Sequence, residues 1–511
     1  IKNIGTTATV PLLLNGVGLS AMAKPWFLSN INDENDRVLV IIRLSGGNDG
    51  LNTLIPLDQF DHLYNARPNI LIPENNILSL SDVTGLHPAM TGMKSLFDEG
   101  HLGIIQSVGY PNQNRSHFKS IQIWYSGSVE QSSVPTGWLG RHLDERFPNF
   151  PADYPNAEFP DPFAISMGDF VSETCQGQAA NFSVALNDPF ALSELAEWGG
   201  SDFSGTIYGD ELDFLREQIT QSNSYYDRIE AAANNGNNTV EYPDTFMGQQ
   251  MKNVALMIAG GLGTKVYTIN ISGFDTHSQQ VQIGNPLLGF HTELLQTISD
   301  AIYAFQQDLV QLGLAERVIG MTFSEFGRQI RSNASFGTDH GTAAPLFVFG
   351  KCINPQILGT NPEIPAEVAV QEGVPMQYDF RNVYGSILKD WFEVEESVIH
   401  NILMEDFQYL PIVNQCLPTD TKEPILLPEI NSRCFPNPFS DSTTIQFSCA
   451  NERVRLTIVD VLGHEIKVLL DQVMPAGQHQ VSFYGSGLPS GNYYYRIEID
   501  GRQKTKLIVR S

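Results

Sequence analysis

Residues 37–44 read Arg37-Val38-Leu39-Val40-Ile41-Ile42-Arg43-Leu44 and pass without a spacer into Ser45-Gly46-Gly47-Asn48-Asp49-Gly50. The first stretch is an apolar, β-branched run of the length of a buried strand, and the second is a knot of turn formers around a carboxylate. The same succession recurs. Residues 102–108 run into Asn114-Arg115-Ser116-His117, residues 265–271 into Gly273-Phe274-Asp275-Thr276-His277, and residues 318–323 into Ser324-Glu325-Phe326-Gly327-Arg328. Apolar strands alternating with amphipathic helical segments predict an α/β unit, a mostly parallel sheet with helices on both faces. In such sheets ligands bind outside the carboxyl ends of the strands, so the knots are expected to meet along one edge, in one site. A further cluster, Thr338-Asp339-His340-Gly341, precedes the apolar run 345–349 and is placed to fold back over that edge.

Asp, Glu and neutral His are hard-to-borderline ligands suited to a divalent ion such as zinc, manganese or magnesium, and a serine beside such an ion can be activated as a nucleophile. Each residue also has a plainer role open to it. Asp49 can hold a turn, Ser116 can cap a helix, and any single histidine can be a satisfied core residue. Convergence of titratable groups on one cleft is what favours a site.

Lys and Arg total 30 against 57 Asp and Glu, a formal net charge of −27, which repels phosphate backbones and excludes nucleic acid as an expected partner. The same acidity suits a secreted or surface protein. The 5 cysteines (Cys175, Cys352, Cys416, Cys434, Cys449) include no Cys-x-x-Cys pair, which argues against a zinc knuckle. A bridge from Cys416 to Cys434, one from Cys434 to Cys449, and free buried thiols all stay open. Lys2, the apolar stretch 8–19 and Ala21-Met22-Ala23 read as an export signal over 1–23, with a mature chain starting near Lys24. No transmembrane span is expected in the mature chain. Were the segment retained, it would pack against something, such as a neighbouring copy in a homo-oligomer.

The α/β unit is assigned to 24–417, with helical stretches at 116–125, 210–233, 245–259 and 287–312. The last carries a core stripe of Leu294, Leu295, Ile298, Ile302 and Phe305. Residues 127–245 are expected to form an insertion capping the site; within it 135–138 and 163–167 line either a pocket or the core. Residues 378–392 close the unit. Pro418, Pro424 and Pro428 mark a stiff linker, 418–433. Beyond it, 434–511 alternates apolar and polar residues in short strands separated by turn signals, the pattern of a small immunoglobulin-like β-sandwich.

That last segment resembles the type A C-terminal sorting domain of the bacterial type IX secretion system. The resemblance lies in Phe435-Pro436-Asn437-Pro438-Phe439, Val459-Asp460-Val461-Leu462-Gly463, Ala476-Gly477-Gln478-His479, Leu488-Pro489-Ser490-Gly491-Asn492-Tyr493 and Lys506-Leu507-Ile508-Val509. It implies a Bacteroidota origin, the type IX machinery as partner, and a place outside the outer membrane of a Gram-negative cell, attached or released. From residue 37 to about 392, the knots quoted above together with Asp379-Phe380-Arg381 resemble the domain of unknown function 1501 family, which groups with the sulfatase and alkaline phosphatase superfamily.

Carried over residue by residue, the resemblance implies an alkaline phosphatase-like fold. Asp49 becomes the first-strand ligand of one metal, and Asp275, His277 and His340 hold the other, with Glu325 standing where the superfamily has the Asp of an Asp-His pair. Ser116 becomes the nucleophile, and Arg115 and Arg328 clamp an anionic group. The expected function is then a secreted or cell-surface metal-dependent hydrolase acting on phosphate or sulfate esters. The sequence departs at Phe326, which stands where a ligating His belongs. Phe326 favours the alternative, a non-catalytic structural surface protein on a degenerate hydrolase scaffold, assembling into an oligomer or filament.

Overall fold

A computed structural model describes residues 36–128, 134–191, 223, 225–414, 432–449, 452–460, 465–475, 477–499 and 502–510. The export-signal stretch, the proline linker, Cys416 and the first part of the helix expected over 210–233 lie outside the described residues. The rest of that helix is present over 225–235. The chain divides into two compact units, 1–416 and 417–511.

Apart from a small antiparallel sheet of Leu54–Pro56, Thr84–Leu86 and Leu78–Ser79, the strands described in the first unit are β1 (Val38–Ser45), β2 (Leu102–Gly109), β3 (Ala164–Met167), β4 (Ser183–Leu186), β5 (Val266–Ser272), β6 (Val318–Phe323), β7 (Arg328–Ser332), β8 (Thr338–His340), β9 (Ala344–Gly350), β10 (Ile357–Leu358) and β11 (Tyr378–Asp379). The main sheet runs β10-β2-β9-β6-β1-β5-β3-β4, with β11 also paired to β2. β1 lies parallel between β5 and β6, and β3 and β4 continue the parallel array beyond β5. β9 alone runs against its neighbours β2 and β6, so β2 is parallel to β6 across it. The carboxyl ends of β1, β2, β5 and β6 therefore share one edge, and β8 delivers the chain to the start of β9 at that same edge. The four knots and the fifth cluster meet as expected.

Alternation along β1 shows why the sheet is buried on both sides. Val38, Val40, Ile42 and Leu44 face one layer with α2 (Thr91–Asp98), α5 (Phe246–Ala259) and α6 (Phe290–Gln311), where Met93, Val254, Ile298, Ile302 and Phe305 close the core. Leu39 and Ile41 face the opposite layer, built on α3 (His117–Ser126), α4 (Trp138–Arg146), α7 (Phe380–Asp390) and α8 (Glu396–Leu403), with Trp124, Trp138, Phe380, Tyr384 and Ile387. One short helix, α1 (Phe60–Ala66), lies outside both layers and ends beside β7. The described part of the stretch 127–245 extends the sheet through β3 and β4, and Phe163, Ala164, Ile165 and Met167 bury in the core, the second of the two places open to them. Trp138 likewise stacks on Tyr384 at 4.2 Å, in the core.

The second unit is a β-sandwich, as the alternation predicts. Among the described residues it has a three-stranded sheet of Ser432–Phe435, Ser442–Cys449 and Gly477–Tyr484, and a four-stranded sheet of Glu465–Met474, Glu452–Val459, Gly491–Ile499 and Arg502–Arg510. All their pairings are antiparallel, and Phe439, Ile445, Leu456, Ile458, Phe483, Tyr495 and Ile508 fill the space between them. Cys434 carries a free thiol, so neither bridge considered for it forms; among the described residues Cys352 is disulfide-bonded. No helix among the described residues is long and apolar enough to cross a membrane.

Candidate metal centre

Two glycines bring the edge together. Gly46 and Gly47 have φ of 124° and 86°, and a Cβ on Gly46 would lie 2.2 Å from the backbone nitrogen of Asp275. Only glycine lets the end of β1 pass that close to the loop after β5. A Cβ on Gly47 would lie 2.5 Å from the ring of Phe326. Ser324 ties the third strand in: its hydroxyl donates to Leu44 O (2.7 Å) and accepts from Asn48 N (2.9 Å).

Against this frame stand Asp275, His277 and His340, and beside them His117, the first residue of α3. One ligand atom each from His117, Asp275 and His340 lie within 4.8 Å of one another. His277 joins them, with Nε2 2.9 Å from His340 Nε2 and 3.2 Å from Asp275 Oδ1. His340 Nε2 is 3.1 Å from Asp275 Oδ1, and His117 Nε2 is 3.6 Å from Asp275 Oδ2.

The other ring nitrogens explain why the rings point this way. His117 Nδ1 donates to Glu325 Oε1 (2.9 Å), His277 Nδ1 to Asp339 Oδ1 (2.8 Å), and His340 Nδ1 to the Arg115 carbonyl (2.9 Å). Those oxygens only accept, so each Nδ1 carries a proton, and the neutral form of each ring turns a bare Nε2 lone pair toward Asp275. His117 Nε2 is buried and has no hydrogen-bond partner. Lone pairs facing one another and a carboxylate repel unless a cation lies among them, and pinning of the outer nitrogen is how proteins orient metal-binding histidines.

The remaining expected site residues are placed differently. Asp49 does not reach the group. It is 1% exposed, and Arg67 Nη1 donates to both of its oxygens (2.9 and 2.8 Å) while Gln280 Nε2 donates to Oδ2 (2.6 Å). Burial alone would raise its carboxyl; Arg67, His291 and Gln280 together hold it below the usual carboxylate range. Glu325, expected as a ligand, is buried behind the group. Its Oε1 accepts from Gly46 N (2.9 Å) and His117, and Arg43 Nη2 lies 3.7 Å away.

Arg328 is not a free clamp. Fully buried, it donates to the carbonyls of Gly46, Gly47, Phe274 and Thr338, and Nη2 donates to Asp275 Oδ1 at 2.7 Å. Arg115 spends its guanidinium on the Gln371 carbonyl (2.8 Å). Ser116 sits at the N-cap position of α3, exposed, and its side chain makes no capping hydrogen bond. Phe326 is buried, its ring 4.9 Å from that of His117 and 4.7 Å from that of His340.

The group itself is open to solvent. Side-chain exposure is 50% for Asp275, 45% for His277, 31% for His117 and 23% for His340. Partial burial would raise Asp275, but the Arg328 guanidinium that donates to it holds it below its ordinary value. Burial first, opposed by Asp275 and aided by Arg328, lowers His340. The group thus presents three imidazoles and a carboxylate to solvent. Sequence reasoning passed over His117 although it follows Ser116 directly, and over Asp339, which sits beside His340 in the fifth cluster. A cavity of about 610 Å³ lined by Arg141, Asp144, Phe150 and Met404, and one of about 390 Å³ lined by Tyr125, Pro135, Thr136 and Glu173, include none of these residues.

A family model described as "Protein of unknown function (DUF1501)" matches residues 36–403, and one described as "Secretion system C-terminal sorting domain" matches 433–510. A search of curated proteins found no match. Among solved structures, a sulfatase from Pseudoalteromonas sp. aligns at 10% identity over 90% of this chain and 86% of its own, with a TM-score of 0.33. A protein in the alkaline phosphatase superfamily from Vibrio parahaemolyticus aligns at 9% identity over 93% and 82%, with a TM-score of 0.31. PorZ, a surface component of the type IX secretion system of Porphyromonas gingivalis, aligns at 17% identity over 16% of this chain and 11% of its own, with a TM-score of 0.13.

Proposed function

Given that the chain belongs to the DUF1501 family and carries a secretion system sorting domain that places it at the cell surface or outside the cell, we propose that it is an exported ester hydrolase whose centre holds one divalent ion between Asp275, His117, His277 and His340. The observation that supports this is the set of three histidines with protonated Nδ1 atoms tied to acceptors and bare Nε2 atoms turned on one carboxylate. Nitrogen-rich donors of this kind suit zinc or iron better than manganese or magnesium. The residues fit the ion: His117 Nε2 is an orphaned buried atom without it.

When bound, such an ion supplies a Lewis acid for an anionic ester and lowers the pKa of a neighbouring hydroxyl. The chain's own groups supply the rest. Ser116 adjoins His117, its hydroxyl is exposed and not engaged in capping, and we assign it the role of nucleophile. The backbone N–H groups of the first turn of α3 have no partner within the helix and favour an anionic group beside Ser116. Phosphate and sulfate esters are the substrate class. With Asp49 paired to Arg67 and Phe326 in place of a ligand, a single ion is expected, not two.

Purified protein should contain about one tightly bound divalent ion per chain, and Asp275→Asn or His340→Ala should remove it. Ser116→Ala should keep the ion and abolish turnover of an aryl phosphate or sulfate. Bound metal without turnover of either ester would leave the non-catalytic surface protein, which Phe326 and the occupied Arg115 and Arg328 favour. Metal-free protein would reject the centre.

A further inference from the structure

We propose that a buried brace running from Arg67 through Asp49 to Gln280 positions the two loops carrying Asp275, His277 and His340, and so sets how tightly the centre grips its ion; this rests on the metal-centre reading above. Gln280 is fully buried. Its Oε1 accepts from Thr276 Oγ1 (3.1 Å) and Thr338 Oγ1 (2.7 Å), and its Nε2 donates to Asp49 Oδ2 (2.6 Å). The amide has one workable orientation, because turning it over would set its oxygen against the Asp49 carboxylate. Asp49 is fixed in turn by Arg67, whose Nε and Nη2 donate to the carbonyls of Ile330 (2.8 Å) and Gln329 (2.7 Å) on β7.

Thr276 lies between Asp275 and His277, and Thr338 opens β8, which ends at His340. The two ligand-bearing loops are thus registered on one oxygen atom, backed by the Thr338 N–H donating to Thr276 O (3.1 Å). That registration fixes the 2.9 Å approach of the His277 and His340 Nε2 atoms. Gln280 and Thr338 touch no ion themselves, so they are positioning residues. Partners that hydrogen-bond a ligand directly shift metal affinity by about 10- to 100-fold when removed, and Gln280 and Thr338 act one residue further out, through the backbone that carries the ligands.

The test titrates Co(II) into the metal-free full chain and records the dissociation constant and the visible absorption spectrum of the bound ion. Thr338→Val, which deletes the hydroxyl at constant shape, and Gln280→Met should each weaken Co(II) about tenfold or more and alter the spectrum. Thr338→Ser, which keeps the hydroxyl, should restore both. Thermal unfolding of the metal-free variants, followed in parallel, separates loss of grip from loss of fold. Wild-type affinity and spectrum in Thr338→Val and Gln280→Met would overturn the brace while leaving the centre intact. An unaltered chain that takes up no Co(II) would overturn the centre and the brace together, and is told apart because the variants are not needed to see it.

Discussion

Phe326 occupies the position where the family resemblance called for a ligating histidine, and its ring abuts those of His117 and His340 instead. A flat apolar wall there confines two imidazoles without competing for their lone pairs. Asp49 makes the opposite exchange. It looked like a ligand because a carboxylate after a first strand is where such sites begin. Its partner Arg67 stands at the end of α1, in a stretch whose spacing announces nothing, so an internal ion pair was not legible. Arg67 is fully buried, and truncating one member of such a pair strands the other charge. Arg67→Met should therefore destabilise the first unit by about 3–5 kcal/mol in denaturant unfolding, with metal or without it. An Arg67→Met protein as stable as the parent would mean that Asp49 answers to something else. His117 escaped attention for a related reason: next to Ser116 at a helix start it reads as part of a cap, and only the Glu325 contact from the loop after β6 shows which nitrogen is free.

Among the elements, the strand-then-knot succession was readable because a strand buried on both faces has to be apolar throughout, and the knot has to break it. What the pattern could not show was that β3 and β4 join the sheet, since four-residue runs such as Ala164–Met167 carry too little periodicity to separate a strand from a loop. The close pass of β1 over the loop after β5 gives an element-level prediction. Gly46→Ala puts a methyl group 2.2 Å from the Asp275 backbone nitrogen at a φ of 124°. We expect a loss of roughly 2 kcal/mol or more of stability and displacement of Asp275, read as weakened ion binding in calorimetry. Unchanged unfolding and binding would show that the edge is looser than the contacts imply.

For the whole molecule, three buried histidines set the response to acid. Burial first, reinforced by His291, pushes His87 to about 3; burial with Arg146 nearby pushes His142 to about 3; and burial, opposed by Asp49, pushes His291 to about 4. Unfolded, each titrates near about 6.5. Their folded values are depressed, so between pH 6.5 and about 4 the unfolded chain binds protons that the folded unit refuses, and stability falls as pH falls. Unfolding free energy of the first unit should drop by several kcal/mol from pH 7 to 4, with His142→Asn flattening part of the slope. A level profile over that range would show these rings to be protonated in place. The sorting sandwich was plain in the sequence because its alternation and turns repeat at short intervals, whereas the brace behind the centre is made of single polar residues scattered through 49–338 and leaves no periodic trace.

The sorting sandwich at 433–510 follows every residue of the centre, from His117 to His340. A ribosome that stalls, or a protease that clips the nascent chain before residue 433, yields a fragment with no address. Any copy that bears the address has already been translated through all of its histidines. The order of the two units along the chain thus ties translation of the sorting sandwich to prior translation of every residue of the centre.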